Sequence, residues 1–297
     1  MNQKNEALSQ LSDTIPPKIR RLLQIGINTY QLFANQDMNV FSGNATFYIL
    51  MALVPFVALA AGLINYLPPH YLKDFCEILL HLFPNIPQIQ YMLNELLEQV
   101  SPQKGTLVVS ISLIVLLWSA SNGVSALQIG MMRISGTRQS AIRQRLSAMV
   151  YTVLFILLIA ALLIFRVFRS SITEIGIAIS NAFENPKIME VLNAILEDGG
   201  LITVIAMGLV VVLTYTFLQG EMRQIRKQLP GALFTIVLWI VFSSLFEWFI
   251  SKFWDQSAVY GSLASIFLTA MWLKTIITIL FLGGALNEVL FRKEVIE

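Results

Sequence analysis

Six long apolar stretches alternate with polar segments along this chain of 297 residues. A bilayer core about 30 Å thick needs about 20 apolar residues at a helical rise of about 1.5 Å per residue. Each stretch meets that length, and none shows the two-residue alternation of a strand. Because backbone groups in lipid must be paired internally, the stretches predict helices. The pattern therefore predicts an all-α, polytopic membrane protein with six transmembrane helices, at 44–66, 106–127, 147–167, 200–219, 231–251 and 260–283.

The segment before the first span predicts an amphipathic helix over residues 16–35, which begin with two prolines. Its basic residues, Lys18, Arg20 and Arg21, lie away from the apolar face. That face carries Ile19, Leu22, Leu23, Gly26, Ile27, Tyr30 and Phe33. Two placements are open: the helix lies on the inner leaflet, or it packs on the cytoplasmic end of the bundle. Residues 1–43 are thus predicted to form a cytoplasmic arm with an interfacial helix.

Two connecting segments, 67–105 and 168–199, also predict amphipathic helices. Apolar side chains recur at helical spacing around Phe75 in the first segment and around Leu192 in the second. Such helices cap the bundle or lie in the outer interface, and their mostly acidic charges are typical of a solvated face. We expect a transmembrane bundle over residues 44–290 that includes these external segments, followed by a tail of residues 291–297.

The distribution of lysine and arginine predicts the orientation of the chain. Thirteen of these residues lie in the N-terminal arm, in 128–146, in 220–230 and in the C-terminal tail, and six lie in the other connecting segments. Basic residues accumulate in cytoplasmic loops. The two short basic loops carry seven lysines and arginines against one acidic residue, Glu221. Both termini are therefore expected in the cytoplasm.

Composition agrees with lipid as the solvent for much of the surface. Hydrophobic residues make up 56% of the chain and charged residues 13%, whereas soluble domains carry about 25% charged residues. Cys76 is the single cysteine, so no intrachain disulfide is possible. The first 43 residues hold no short apolar core, and no cleavable signal peptide is predicted. The net charge of +2 gives no indication of a nucleic-acid partner.

The sequence offers little enzyme chemistry. No glycine loop ends in Gly-Lys-Ser or Gly-Lys-Thr, and no His-Glu-x-x-His occurs. His70 and His81 share one predicted helical face with Glu77 near, but a zinc site needs further ligands in fixed geometry. We therefore predict no catalytic residue, no cofactor and no metal.

Polar side chains within the predicted spans concentrate in the cytoplasmic half. Lys274 lies about 13 Å from the inner end of the last span. The other candidate residues among the polar ones at this depth or below it are Asn44, Tyr48, Ser121, Asn122, Thr278 and, just past the last span, Asn287. One interpretation is a polar cavity that opens inward, with Lys274 facing an anion. The other is that the small and polar residues pack helices together while Lys274 extends its stem of about 6 Å toward the interface.

A separate pair of charges lies nearer the outer surface. Glu247 is about 24 Å from the inner end of its span, so its axial separation from Lys274 of about 10 Å is too wide for a direct ion pair. Arg166, at the outer end of the third span, lies closer in depth. Arg166 and Glu247 are therefore the candidate outer ion pair. Gly283-Gly284, in the last span, indicates close helix packing.

Four blocks of the sequence resemble the YihY/BrkB family of bacterial inner-membrane proteins. They are ATFYILMALVP (45–55), WSASNGVSAL (118–127), LPGALFTIVLW (229–239), and VYGSLASIFLTAMWL followed by LGGALN (259–287). The resemblance covers residues ~16–290 and implies a six-helix protein of the bacterial cytoplasmic (inner) membrane with both termini inside. Members have been labelled ribonuclease BN, virulence factor and putative transporter. A nuclease is not expected here, because no cytoplasmic segment carries a metal-ligand cluster.

The chain departs from the family pattern at three positions. The family commonly has serine where this chain has Ala52, and an aromatic residue where this chain has Lys274. The family's Leu-Gly-Ala-Glu becomes Leu-Gly-Gly-Ala ending at Ala285, and Glu288 follows one turn later. A role tied to the family's acid is therefore not carried over to this chain.

Three functions are compatible with these observations. The first is a transporter, or a protein that handles lipid or anions, without nucleotide hydrolysis; an anionic lipid or an organic anion would suit a buried lysine. The alternative is a non-transporting membrane scaffold in envelope assembly, which would meet partners through its external helices. An intramembrane enzyme would need an acid–base pair at matched depth, which the sequence lacks. The predicted partners are membrane lipids, with no nucleic acid, and an oligomer is possible.

Overall fold

The computed structural model describes residues 16–64, 105–167, 199–253 and 261–292. These ranges contain seven α-helices and no strand, which confirms the predicted all-α architecture. We number the helices α1 (Pro17–Asn35), α2 (Met38–Ile64), α3 (Gly105–Ser135), α4 (Ala141–Val167), α5 (Gly199–Phe217), α6 (Ile225–Phe253) and α7 (Gly261–Arg292).

Each predicted apolar stretch coincides with one helix over its described residues, from α2 for the first to α7 for the sixth. Within the described residues, four helices are long and apolar enough to cross a membrane: Ser110–Ser135 in α3, Ala141–Leu158 in α4, Ile225–Lys252 in α6 and Ile266–Phe291 in α7. The described apolar part of α5, Val204–Phe217, is shorter.

Some sequence predictions fall outside the described ranges. The external segments predicted at 67–105 and 168–199 fall almost wholly on residues 65–104 and 168–198, which the structure does not describe, as do Cys76, His70 and His81. The last helix is longer than its apolar stretch, because α7 continues past residue 283 to Arg292.

Three left-handed residues stand in connections between helices: Asp37, Gly136 and Gly220. Asp37, between α1 and α2, has a φ of 55°, a conformation that aspartate adopts more readily than most residues with a side chain. The N–H of Val40 then donates to the carbonyl of Asp37 at 2.9 Å. Gly220, between α5 and α6, has a φ of 84°. A Cβ at Gly220 would also lie 2.9 Å from Oγ1 of Thr137, so glycine is required there for conformation and for space.

Helix α7 lies at the centre of the packing and contacts α1, α2, α3 and α6. Its Phe281 is fully buried, and the ring lies over Gly130 of α3, where a Cβ would come within 2.5 Å of Cζ. Gly123 lets α3 approach α2 in the same way, with Ile49 as the neighbour at 3.0 Å. Small residues at these crossings allow the helices to pack closely, as is common in membrane proteins.

The outer surface of the bundle is apolar. Large hydrophobic side chains are exposed on several helices, among them Ile114, Ile142, Leu157, Leu233 and Phe267, each at least 60% exposed. Water-soluble monomers rarely expose apolar surface on this scale, whereas lipid is an apolar solvent for it. The surface and the four long apolar helices therefore indicate a membrane protein.

One end of the bundle, which we call the basic end, gathers the helix connections. The hydroxyl groups of Ser135 and Thr137, after α3, both donate to the carbonyl of Gln219, after α5. The guanidinium of Arg133 lies 4.9 Å from the ring centroid of Phe41, near the start of α2. The described basic residues here are Lys18, Arg20, Arg21, Arg133, Arg138, Arg143, Arg145, Arg223, Arg226, Lys227 and Arg292; the acidic ones are Asp37, Glu221 and Glu288.

Helix α1 combines features of both placements expected for it. It contacts α7, and Thr29 and Phe33 in its C-terminal half are buried. Leu22 and Leu23, in its N-terminal half, are 69% and 52% exposed. The C-terminal half therefore packs on the bundle, while the N-terminal half presents apolar side chains outward, as a helix in the plane of a leaflet would.

Candidate functional site

Lys274 lies near the middle of α7 and is exposed. Its ammonium has no hydrogen bond or ion pair with any described residue. The hydroxyl of Thr278 donates to the carbonyl of Lys274 at 2.8 Å, and that of Thr275 donates to Met271 at 3.0 Å. These hydroxyls are thus satisfied within the helix, which leaves the ammonium as the polar group on this face that lacks a described partner.

The polar residues predicted near the start of α2 do not reach Lys274. Asn44 is exposed. Tyr48 is half-buried, forms an edge-to-face contact with Phe47 at 5.5 Å between centroids, and lies beside Gly123 of α3. Tyr48 is therefore brought next to α3, whereas Asn44 points away from the described helices.

Asn122 of α3 is paired with an arginine from the next helix. Nη1 of Arg145 donates to Oδ1 of Asn122 at 2.6 Å, and the guanidinium lies 5.3 Å from the ring centroid of Trp118. A charge-assisted hydrogen bond and a cation–π contact together stabilise Arg145 at the start of α4. Asn122 thus holds α4 against α3.

Further polar contacts join α3 to α4. Gln128 is fully buried and its Nε2 donates to the hydroxyl of Ser147 at 2.8 Å, while Gln144 donates to Ser125 at 3.3 Å. Ser121 is buried, and its hydroxyl has no hydrogen-bond partner among the described residues. These contacts account for Asn122 and Ser125 of the serine-rich block of α3 as helix packing.

Asn287 joins the end of α7 to the start of α6. The N–H of Gly231 donates to Oδ1 of Asn287 at 2.7 Å, and Nδ2 of Asn287 donates to the carbonyl and to Oε1 of Gln228, both at 3.2 Å. Pro230 precedes Gly231 and interrupts the backbone hydrogen bonds of α6. We call these three bonds the Asn287 latch. The latch is buried, because Asn287 is 3% exposed.

Close backbone contact accompanies the latch. A Cβ at Gly231 would collide with the carbonyl of Gly283, and one at Gly283 would collide with Thr235 and with the hydroxyl of Tyr215. That hydroxyl contacts Oγ1 of Thr235 and donates to the carbonyl of Leu280, each at 2.7 Å. Helices α5, α6 and α7 are therefore joined by hydrogen bonds in an interface that admits only glycine at two positions.

A small cleft opens beside the latch at the basic end. It has room for about 30 Å³ of solvent, enough for one or two water molecules. Its walls include Arg223, Gln224, Lys227 and Gln228 from the start of α6 and the residues before it, and Asn287 and Glu288 from α7. We call this the α6–α7 cleft.

Two basic side chains of the cleft have partners on α7. Nη2 of Arg223 lies 3.6 Å from Oε2 of Glu288, and Nζ of Lys227 lies 5.7 Å from the ring centroid of Phe291. The described residues contain no group of three or more His, Cys, Asp or Glu side chains that could hold a metal ion. The chemistry that this cleft offers is therefore hydrogen-bond donation and positive charge.

The sequence profile of the family described as virulence factor BrkB matches residues 29–296. The chain belongs to this family. The BrkB family match includes all the residues of the latch and the cleft, and it confirms the resemblance seen in the four sequence blocks.

Two relatives illustrate the range of names in the BrkB family. The putative ribonuclease-like protein YfkH of Bacillus subtilis (strain 168) is 25% identical over 255 residues, covering 85% of this chain and 90% of that protein. A UPF0761 membrane protein of Glaesserella parasuis serovar 5 (strain SH0165) is 31% identical over 85 residues, covering 29% of this chain and 30% of that protein. No solved structure matches this chain at the significance level that the two relatives reach.

Position 285 lies in the core of the bundle. Ala285 is fully buried in the core cluster. An unpaired carboxylate is costly in such a place. Glu288, one turn later, instead reaches the edge of the cleft and pairs with Arg223.

The candidate residues from the sequence fall into separate groups. Tyr48, Ser121 and Asn122 lie along α3 and its neighbours, Asn287 lies at the cleft, and Lys274 and Thr278 lie on α7 without a described contact to either group. Glu247 is exposed on α6, and the side chain of Arg166 is outside the described residues, so their ion pair stays a prediction.

Sequence reasoning missed several residues that the structure brings together. In the sequence, the orientation of the chain was predicted from Arg145, Arg223 and Lys227, and no contact was predicted for them. Their high density in short loops also indicates one end of the bundle that is rich in hydrogen-bond donors. Tyr215 lies in the largely apolar fourth stretch, so the sequence carries no sign of the hydrogen bonds that its buried hydroxyl forms.

Proposed function

We propose that this BrkB-family protein binds and moves an anionic lipid or an organic anion in the bacterial cytoplasmic membrane, without nucleotide hydrolysis. The supporting observation is Lys274, whose ammonium is exposed in mid-helix and has no partner among the described residues. A lysine in the hydrocarbon region is costly unless it meets an anion or water. The proposal includes no ribonuclease activity, because no motif for it occurs in the sequence.

The position of Lys274 in α7 limits how far snorkelling can relieve that cost. Lys274 lies about 20 Å along the axis from Gly261 and about 27 Å from Arg292. The lysine stem extends only about 6 Å, so the ammonium remains well inside both helix ends. An anion that travels along this face of α7, such as a lipid phosphate, would find its counter-charge there.

Replacing Lys274 with methionine is expected to reduce flux about tenfold or more, since losing a charge pair worth about 1.4 kcal/mol changes a rate or affinity by that factor. The measurement is lipid scrambling and organic-anion flux in proteoliposomes. Lys252→Met, at an exposed lysine near the end of α6, is the matched control and should retain wild-type flux. Absence of flux in the folded wild type would contradict transport, and equal flux in all three proteins would contradict the role of Lys274 in it.

We also propose six transmembrane spans with both termini, and hence the basic end, in the cytoplasm. The excess of lysine and arginine at that end supports this orientation. In a Cys76→Ser background, a cysteine at Ser140 should react with a membrane-impermeant maleimide only after permeabilisation of spheroplasts. A cysteine at Ser101 should react in intact spheroplasts. The opposite labelling pattern would reverse the topology.

A non-transporting scaffold in envelope assembly is the second candidate. The packing that supports it is the closed interface of α5, α6 and α7 around Tyr215 and Gly283, which leaves no room for a solute between these three helices. A scaffold would give no flux in the assay above while the protein remained folded, so the same experiment separates the two candidates.

A further inference from the structure

We propose that the α6–α7 cleft is a binding site for a phosphate group, carried either by a lipid headgroup or by a soluble phosphate ester. This site is separate from Lys274, and binding to it does not depend on whether the protein moves anything across the membrane. The cleft lies at the basic end, where α6 begins and α7 ends.

The start of α6 gives the cleft a favourable field for an anion. Gln224, Lys227 and Gln228 line the cleft and belong to the cap and the first turn of this 29-residue helix. The first N–H groups of a helix lack intrahelical acceptors, and the helix dipole places partial positive charge there. Lys227 adds a full charge at the same position. Phosphate groups bind to helix starts for these reasons.

Arg223 contributes donors that its present contacts do not use. Its Nε is buried and has no hydrogen-bond partner among the residues that the structure describes. Its contact with Glu288, at 3.6 Å between Nη2 and Oε2, is longer than a charge-assisted hydrogen bond. A buried donor without an acceptor is destabilising. An oxygen of a phosphate group placed in the cleft would supply that acceptor.

Gln228 supplies a further polar group at the cleft. Its side chain lines the cleft and is 4% exposed. Its Oε1 accepts a hydrogen bond from Nδ2 of Asn287, which orients the amide. The oriented amide of Gln228 and the unsatisfied Nε of Arg223 therefore lie beside the same small cleft.

The carboxylate of Glu288 would repel an anion in the cleft, so replacing Glu288 is a sensitive test of the proposed site. Its carboxylate is the acidic group among the described residues that line the cleft. A phosphate would have to share Arg223 with it, and like charges at this range repel. Removing the charge with Glu288→Gln should strengthen phosphate binding, whereas a purely structural role of Glu288 would leave binding unchanged or weaken it.

The experiment uses the full chain in nanodiscs of phosphatidylcholine. Calorimetric titration with inorganic phosphate and with glycerol 3-phosphate tests a soluble ligand, and transfer to nanodiscs with phosphatidylglycerol, followed by thermal stability, tests a lipid headgroup. Arg223→Gln should weaken binding about tenfold or more, since hydrogen bonds to charged groups are among the stronger ones. Lys227→Gln should weaken it less, and Glu288→Gln should strengthen it.

Arg226→Gln is the matched control, because Arg226 is exposed in the same turn of α6 and does not line the cleft. Its affinity should stay within about twofold of wild type. Binding of the soluble probes, or stabilisation by phosphatidylglycerol alone, supports the site and identifies the source of the phosphate. The proposal is overturned if neither has an effect, or if Arg226→Gln weakens binding as much as Arg223→Gln while all variants remain folded.

Discussion

Gly283→Ala is expected to destabilise the protein by about 3 kcal/mol, at the upper end of the range for overpacked cores. The new methyl group would collide with Thr235 and with the hydroxyl of Tyr215, and it would lie 2.8 Å from the carbonyl of Gly231. None of these neighbours can move freely, because the two hydroxyls hydrogen-bond each other and Tyr215 also bonds the backbone of α7. The helices must therefore separate.

Thermal unfolding of the detergent-solubilised protein, followed by intrinsic fluorescence and circular dichroism, measures this loss. Gly43→Ala is the matched control, because nothing lies within 4 Å of a Cβ at that helical position. Alanine is favoured over glycine in a helix by about 0.5–1 kcal/mol, so this variant should be as stable as wild type or slightly more so. Equal stability of both variants would show that α6 and α7 are not in close contact.

Asn287→Leu should be the second large effect, with a loss of about 2–3 kcal/mol from unsatisfied buried groups. Leucine has a similar size but cannot accept the hydrogen bond from the N–H of Gly231 or donate to Gln228. Because Pro230 already interrupts the hydrogen bonds of α6, this end of the helix depends on the side chain of α7.

The same unfolding measurement applies, with Asn44→Leu as the control. Asn44 is exposed on α2 and has no described hydrogen bond, so its replacement should change stability by less than about 0.5 kcal/mol.

Asn287 also lines the α6–α7 cleft, which leads to a second prediction. Asn287→Leu should weaken phosphate binding, because Asn287 orients the amide of Gln228. A stable Asn287→Leu protein would show that the latch is dispensable.

The helices could be predicted because hydrophobic length is a local property. A stretch such as 231–251 is apolar over the thickness of a bilayer whatever its neighbours are, and α6 contains all of it. The Gly283-Gly284 pair likewise indicated close packing, and the structure confirms it through the contact of Gly231 with Gly283.

The grouping of the polar residues could not be predicted, because depth along a helix says nothing about which face is buried. Lys274 and Asn287 were both expected among the polar residues in or just beyond the cytoplasmic half of the last span. Asn287 is turned toward α6 and buried, whereas Lys274 is exposed. Thirteen residues separate them, and rotation of about 100° per residue about the axis, together with the choice of neighbours, decides each environment.

The sequence by itself determined that this is an all-α membrane protein of the BrkB family with a strongly basic end, since length, apolarity and charge are summed over segments. Only the tertiary structure decided which polar atoms meet. It placed Glu288 beside Arg223, and Asn287 beside Gly231, across more than 50 positions in the chain. Such pairings depend on how each helix is rotated and on how closely two helices approach. Glycines at the contacts set the approach distance, and no local pattern in the sequence encodes these pairings.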